Sequence, residues 1–188
     1  MAEDASSRPV AFPQERAGRM VTPGPLIERG FLLRPVTEAD LPWLAELYAS
    51  TRSEEMAGVP WPDIAKRSFL RQQFELQHRH YVQHFADADF LAVVRTDKSE
   101  PAGRYYLQRN PPEHLLVDIS LFPQYRNRGL GRMLIEDSQR TAYAQGCGMH
   151  LHVLHQNIAA RRLYERLGFI RTHDTPTHQH MRWLPREA

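Results

Sequence analysis

The sequence predicts a mixed α/β fold: a mostly antiparallel sheet of six to seven strands with four helices distributed over both faces. Two observations lead to this prediction. Between Phe90 and Phe122 the apolar residues form short runs and alternations that are typical of consecutive strands. After Phe122, strand patterns alternate with amphipathic helix patterns, as they do in strand–helix–strand crossovers. A meander followed by crossovers gives a sheet with both antiparallel and parallel pairs.

The chain begins with a segment that has no periodic pattern. Residues 1–25 are rich in Pro, Ala, Arg and Glu, and we interpret them as a mobile N-terminal arm. The rest, residues 26–188, has the length and composition of a single domain.

The first half of that domain contains one strand and two helices. Its first strand ends at Pro35, because proline cannot donate to a sheet ladder. Thr37-Glu38-Ala39-Asp40 is a capping-box pattern that starts the first helix. The elements expected here are a strand over Phe31–Pro35, a helix that begins near Leu41, a loop over 51–62 and a long helix over 63–85.

The second half is dominated by strands. A charged turn separates the first two, and amphipathic helices precede the fourth and fifth. The predicted strands are Phe90–Val94, Gly103–Leu107, His114–Phe122, Met149–Leu154, Phe169–Thr172 and His180–Leu184.

The stretch from Val117 to Arg140 combines an apolar strand, a loop with Gly129 and Gly131, and a helix. The free amides and the dipole at a helix start attract anions, and glycine lets a phosphate approach the backbone. The spacing is neither G-x-G-x-x-G nor that of a P-loop. Three arginines add positive charge around these amides, namely Arg126, Arg128 and Arg132. We therefore predict a phosphate-binding turn.

A second segment, between Leu154 and Phe169, has the pattern of a well-capped amphipathic helix. Asn157 suits the N-cap, and Gly168 suits the position after the last turn. Asn157 and Tyr164 are seven residues apart, so they lie on the same side of the helix, two turns from each other. Both side chains can therefore address one ligand.

These two segments resemble the two signatures of the GNAT superfamily of N-acetyltransferases. R-N-R-G-L-G is similar to Q/R-x-x-G-x-G/A, and the helix beginning at Asn157 is similar to N-x-x-A-x-x-[LF]-Y-E-[RK]-L-G-F. The resemblance covers about residues 31–184 and implies a sheet splayed between its fourth and fifth strands, with acetyl-CoA as cosubstrate. The cofactor-binding residues that it implies are Ile119, Leu121, Phe122, Arg126, Asn127, Arg128, Gly129, Leu130, Gly131, Arg132, Asn157 and Tyr164.

The resemblance also implies direct transfer without a covalent enzyme intermediate. Backbone amides near Ile119–Leu121 would stabilise the oxyanion, and Tyr164 would protonate the departing thiolate. Some family members carry a Glu early in the fourth strand, and Leu115 stands at that position here. Asp118 on the same strand is our second catalytic candidate, although its parity predicts the face opposite to Leu115. The alternatives for the base are His150, His152, Glu54 and Glu55.

The acceptor side of the cleft is predicted in the loop over 51–62 and the start of the long helix. Three residues there suit a cationic amine, namely Glu54, Glu55 and Trp61. The sequence does not identify the amine, and it is compatible with a monomer or a homodimer.

Composition excludes several other classes of protein. With 41% hydrophobic residues, 24% charged residues and a net charge of +2, the chain is not expected to bind nucleic acid or a membrane surface. No apolar run approaches the roughly 18 residues of a membrane span. The start of the chain lacks the apolar segment of a signal peptide. The single cysteine, Cys147, cannot form an intrachain disulfide, so we expect a cytoplasmic protein.

Two histidine patterns raise the question of a metal. His80 and His84 are four residues apart, but no H-E-x-x-H motif contains them. The run H-L-H-V-L-H over 150–155 lacks a cysteine or carboxylate to complete a zinc site. We therefore predict no metal.

The sequence thus predicts an acetyl-CoA-dependent N-acetyltransferase that acts on a primary amine of a small molecule or a protein. A variant of this hypothesis keeps the cofactor site and uses a longer acyl chain or a different acceptor. The alternative from another class is a non-catalytic module that binds or senses acyl-CoA.

Overall fold

A computed structural model describes residues 11–13 and 21–185. Its helices are α1 (Gly24–Glu28), α2 (Leu41–Thr51), α3 (Ser53–Ala57), α4 (Asp63–His84), α5 (Leu130–Ala144) and α6 (Ile158–Arg166). Its strands are β1 (Phe31–Pro35), β2 (Asp89–Arg95), β3 (Glu100–Gln108), β4 (Glu113–Leu121), β5 (Gly148–Leu154), β6 (Ile170–Asp174) and β7 (His178–Trp183). Short 3-10 turns precede α2 and follow β4.

The strands form one seven-stranded sheet in the order β1-β2-β3-β4-β5-β7-β6. The β4–β5 pair is parallel and the other neighbours are antiparallel, so the predicted mixed, mostly antiparallel sheet is confirmed. β4 and β5 pair only from Glu113↔Gly148 to Leu116↔Leu151. Beyond that rung the two strands separate, which opens the middle of the sheet as predicted.

Each face of the sheet carries its own apolar core. The core that includes α5 contains fully buried side chains from helix and strands, among them Leu130, Leu134, Ile135, Met149 and Leu151. The core beneath α2 and α4 contains Leu44, Tyr48, Phe74, Phe90 and Tyr106. Helices therefore cover both faces, because strand residues alternate between the two cores.

The predicted capping box forms at the start of α2. The Asp40 carboxylate accepts the backbone N–H of Thr37 at 2.8 Å and two N–H groups of Arg34 at 2.6 and 2.8 Å. The indole N–H of Trp43 donates to it at 2.7 Å. Burial by itself would raise the pKa of Asp40, but these hydrogen bonds hold it well below its usual value. The first strand is thereby tied to the first long helix.

The structure adds two short helices to the predicted elements. α1 lies before the first strand, and its Leu26 is fully buried. α3 lies inside the segment that the sequence predicts as a loop over 51–62. Within the predicted arm, Phe12 packs against Phe90 at 5.5 Å between ring centroids, and Thr22 accepts the Leu33 N–H at 2.9 Å. The arm's other residues, 1–10 and 14–20, lie outside the described part of the chain.

Candidate active site

The opening between β4 and β5 exposes backbone groups of β4. The Phe122 N–H bonds to Ala102 on β3, so the N–H and C=O of Leu121 point the other way, towards the opening. The alternation directs the backbone groups of Ile119 to the same side. Ile119 and Leu121 are the residues whose backbone amides are predicted to stabilise the oxyanion and to contact the cofactor. The arrangement can place N–H donors beside an extended ligand that enters the sheet here.

A β-bulge changes the direction of one candidate catalytic side chain. Tyr106 on β3 pairs with Asp118 and Leu107 pairs with Leu116, so Val117 is an extra residue on β4. Val117 and Asp118 consequently both face α4, where Asp118 bonds to Tyr81. The expectation that Asp118 lies on the face opposite to Leu115 is wrong, because the bulge shifts the alternation by one residue.

The predicted phosphate-binding turn has the backbone shape of an anion site. Asn127 and Gly129 have φ angles of +57° and +79°, and α5 begins directly after Gly129. At Gly131 a Cβ would meet only the Ile119 side chain, at 3.7 Å. The free amides at the start of α5 therefore face outward, and because residue 131 is a glycine, no side chain there blocks an approaching anion.

The loop arginines have different partners. The Arg126 Nε donates to the Leu121 carbonyl at 2.8 Å, which joins the loop to the end of β4. Arg132 pairs with Glu136 at 2.8 Å. Arg29, near the beginning of the described chain, also contacts the loop: its Nη1 donates to the backbone carbonyl of Arg128 at 2.6 Å. No local pattern marks Arg29, because 99 residues separate the two partners.

α6 presents the two residues of the second signature. Asn157 caps the helix as predicted, since its side-chain oxygen accepts the Ala160 N–H at 3.1 Å. Tyr164 is only 7% exposed and its ring packs edge-on against Phe169. Burial, followed by the nearby Asp118 carboxylate, raises the pKa of Tyr164 above its usual value. Within the described part of the chain, no hydrogen-bond partner for the Tyr164 hydroxyl is found, so it can donate to a ligand.

Asp118 is held by four donors. Arg104 donates to both carboxylate oxygens at 3.1 and 2.8 Å, Ser120 donates at 2.7 Å and Tyr81 at 2.8 Å. The Arg104 side chain is only 3% exposed, and a further N–H of its guanidinium reaches Gln77. A carboxylate has about four lone-pair sites, and these four hydrogen bonds engage them. A charged residue within the apolar run of β3 was the sequence signal for this partner.

Histidines line one face of the C-terminal half of the sheet. They lie opposite Met149, Leu151 and Val153, which face the core beside α5. We call this set the histidine wall; it consists of His150, His152, His173, His178 and His180.

The rings of the histidine wall contact each other. His180 and His150 lie within hydrogen-bond distance, with 3.3 Å between ring nitrogens, and His173 stacks on His180 at 4.4 Å. Burial, followed by repulsion from His152, His173 and His150, lowers the pKa of His180 to about 4. Burial also lowers the pKa of His150. Glu113 and Arg182, which pair with each other, flank the wall.

The predicted acceptor residues lie in α3 and in the loop that follows it. Glu54 and Glu55 are exposed in the first turn of α3, and Glu55 pairs with Arg52 at 2.9 Å. Trp61 is 47% exposed and packs edge-on against Phe69. Burial, then His155 and Arg52, lower the pKa of His178, so the α2–α3 corner lies within electrostatic range of the wall. The two surfaces can form the sides of one cleft.

Three further features concern metal ligands, the cysteine and membrane spans. Across residues 11–13 and 21–185, no group of three or more potential ligands has a metal-binding arrangement. Cys147 is buried. None of the helices described is both long and apolar enough to cross a membrane.

Comparisons with known proteins agree with the two signatures. The family model described as "Acetyltransferase (GNAT) family" matches residues 44–169. An N-alpha-acetyltransferase, RimI, from Mycobacterium tuberculosis is 31% identical over 137 residues, which cover 72% of this chain and 76% of that protein.

Solved structures share the fold. The PaiA N-acetyltransferase from Thermoplasma acidophilum, in complex with coenzyme A, superposes with a TM-score of 0.63 at 19% identity, over 82% of this chain and 99% of that one. The dodecameric spermidine N-acetyltransferase from Vibrio cholerae gives a TM-score of 0.55 at 17% identity, over 83% and 94% of the two chains. The chain therefore belongs to the GNAT family and is an acetyl-CoA-dependent N-acetyltransferase.

Proposed function

We propose that this enzyme transfers the acetyl group directly from acetyl-CoA to an α-amino group at the N-terminus of a protein or peptide. The observation that supports this most is the β4–β5 opening: a turn with the backbone shape of an anion site follows β4, and the buried Tyr164 lies within electrostatic range of Asp118 on β4. The choice of acceptor rests on the similarity to an N-alpha-acetyltransferase. A small-molecule amine is the other acceptor class for the same chemistry.

The cofactor would lie across the first turn of α5 and into the opening. The amides after Gly129 and the surrounding arginines suit the pyrophosphate. The side-chain N–H₂ of Asn157, whose oxygen caps α6, suits an amide of the pantetheine arm. Outward amides of Ile119 and Leu121 would stabilise the oxyanion as the amine attacks the acetyl carbonyl.

Tyr164 is the proposed general acid. Its raised pKa keeps the phenol protonated at neutral pH, so the proton is always available for the departing thiolate. A thiol has an ordinary pKa of about 8.5, below that of the phenol, so proton transfer to sulfur is uphill by itself and is drawn forward by reprotonation of the phenolate. The proton passes from the Tyr164 oxygen to the sulfur, and solvent reprotonates the phenolate.

The proton of the attacking amine needs a different acceptor. Asp118 has four donors already, and we infer that it positions Arg104 and Tyr81 and keeps Tyr164 protonated. Of the alternatives that the sequence leaves open, we favour His150. His150 pairs with Leu115 near the end of the paired part of β4 and β5, so the two side chains share a face. Its lowered pKa leaves the imidazole neutral at neutral pH. Glu54, Glu55 and Trp61 remain the proposed contacts of the acceptor.

The decisive experiment measures CoA release from acetyl-CoA in the presence of amines. The panel contains a peptide with a free N-terminus, the same peptide with its N-terminus blocked and a lysine added, and a polyamine. We expect turnover with the first peptide and a product whose mass increase lies on the N-terminal residue. If only the polyamine is acetylated, the acceptor is a small-molecule amine and the proposal of a peptide N-terminus is wrong.

Matched variants test the cofactor site in the same assay. Replacing Gly129 and Gly131 together by valine should abolish the thermal stabilisation by CoA, because a ligand stabilises only a protein that binds it. If wild type binds CoA but acetylates no amine of a broad panel, the protein is an acyl-CoA-binding module. If the double variant keeps the full thermal shift, the loop is not the pyrophosphate site.

A further inference from the structure

Arg29 lies at the N-terminus of α5 although it belongs to the turn between α1 and β1. Its Nη1 donates to the Arg128 carbonyl at 2.6 Å, and a Cβ on Gly129 would lie 3.6 Å from the same nitrogen. The guanidinium is thus beside the residue that caps α5. One of its five N–H groups is used in this bond, and within the described part of the chain the other four, in a fork that suits phosphate oxygens, have no hydrogen-bond partner.

The fold fixes Arg29 in this place. The backbone N–H of Arg29 closes α1 by bonding to Leu26, whose side chain is fully buried in the same core as Leu130 and Leu134 of α5. Gly30 follows with a φ of +77°, and its carbonyl accepts both the N–H and the hydroxyl of Thr96. The residue before β1 is therefore anchored on both sides, and its side chain is directed to the loop.

This position is electrostatically unfavourable without an anion. A helix N-terminus carries partial positive charge and favours acidic side chains, but the first turn of α5 contains none. Arg128 and Arg132 lie in the same region, and Arg132 already has Glu136 as a partner. Adding Arg29 places another full positive charge where the helix dipole disfavours it, and a bound phosphate would offset this cost.

We infer that Arg29 contacts a phosphate group of acetyl-CoA and is a cofactor-binding residue supplied by the N-terminal segment. The inference rests on the proposed cofactor site at the first turn of α5. The shared chemistry is a phosphate oxygen, which belongs either to the pyrophosphate or to the 3′-phosphate. By binding to the Arg128 carbonyl and the phosphate together, Arg29 would close the loop over the cofactor.

The test is the dissociation constant of CoA for wild type, Arg29→Ala, Arg29→Lys and the control Arg79→Ala. Arg79 is exposed on α4, away from the loop. We expect Arg29→Ala to weaken CoA binding roughly tenfold, as for the loss of one charge-assisted hydrogen bond, and less at high salt. Arg29→Lys should recover part of the affinity, and Arg79→Ala should match wild type.

Ligands that lack phosphates separate a binding role from a purely structural one. Pantetheine should stabilise Arg29→Ala and wild type equally, because it has no phosphate to lose. With dephospho-CoA, a persistent defect assigns Arg29 to the pyrophosphate, and a vanished defect assigns it to the 3′-phosphate. The inference is overturned if Arg29→Ala loses as much affinity for pantetheine as for CoA, or if its affinity for CoA is unchanged. If wild type and Arg79→Ala also fail to bind CoA, the proposed cofactor site is refuted, and so is the inferred role of Arg29.

Discussion

The proposed cofactor side and the proposed acceptor side are built in different ways. The proposed cofactor side is a contiguous strand, turn and helix, where backbone amides at Gly129 and beyond would do much of the recognition. The proposed acceptor side would combine side chains from separate elements, among them Glu54 on α3 and His150 on β5. Backbone recognition of phosphate needs a local pattern, whereas recognition of an acceptor depends on contacts that distant elements make.

The largest expected effect on this comparison concerns Tyr164, the proposed general acid. Tyr164→Phe should keep the fold, because the ring still packs on Phe169. CoA affinity should barely change, and kcat should fall by roughly 10²–10⁴-fold, the usual effect of a lost general acid. The measurement is kcat with the best acceptor, with the CoA thermal shift as the folding control. Near-normal kcat would leave Tyr164 only a contact of the cofactor.

His150 provides the next largest effect. His150→Gln should lower kcat/KM roughly 10²-fold near neutral pH, because a base that takes the amine proton is lost. His84→Gln on α4 is the control, since His84 is exposed outside the wall. Added imidazole should partly restore the rate of His150→Ala. A rate that stays at the wild-type level in both variants would exclude His150 as the base.

Structural features whose signals lie close together in the sequence were predictable. The first strand, Phe31–Pro35, and the Asn157 cap have the predicted bounds and role. The short helices α1 and α3 were not predictable, since five residues are too few to show a helical period.

The rest of the site depends on register, which a single sequence does not specify. Asp118 faces α4 because one extra residue, Val117, enters β4, and no residue type marks that bulge. Its partner Arg104 lies 14 residues earlier and meets it only once β3 and β4 have paired. The same holds for Arg29 at the loop and for the histidine wall, which β5, β6 and β7 assemble together.

Asp118 tests whether the acceptor side contains a structural ion pair or a base. Asp118→Asn should lower the free energy of unfolding by roughly 3–5 kcal/mol, because Arg104 would stay buried without its countercharge. Urea denaturation measures this loss. The kcat of the folded fraction should fall far less than in Tyr164→Phe. A stable variant with a collapsed kcat would instead make Asp118 the base.

The α3 carboxylates should give a smaller effect, restricted to the acceptor. Reversing both charges, Glu54→Lys with Glu55→Lys, should raise the amine KM several-fold and leave the acetyl-CoA KM unchanged. The acids are exposed, and screening by solvent limits each contact to about 1 kcal/mol or less. Steady-state kinetics with each substrate varied in turn separates the two constants. Glu46→Lys on α2 is the matched control; an equal rise in that variant would indicate a general charge effect.

The smallest expected effect is the response of the histidine wall to acid. The folded-state pKa of His180, about 4, lies below its ordinary value of 6.5, so between these values the unfolded chain binds more protons than the native protein. Stability is therefore fully present above pH ~6.5 and declines as the pH falls towards ~4. The groups that face His180 are His150 and His152 on β5, His173 on β6, and Glu113 on β4, whose carboxylate opposes the shift.

His180→Gln should make the melting temperature less dependent on pH between ~7 and ~5, and His84→Gln should retain the wild-type slope. If His180→Gln retains that slope as well, the contacts of His180 within the wall do not disfavour its charged form, and the wall has no part in the acid response.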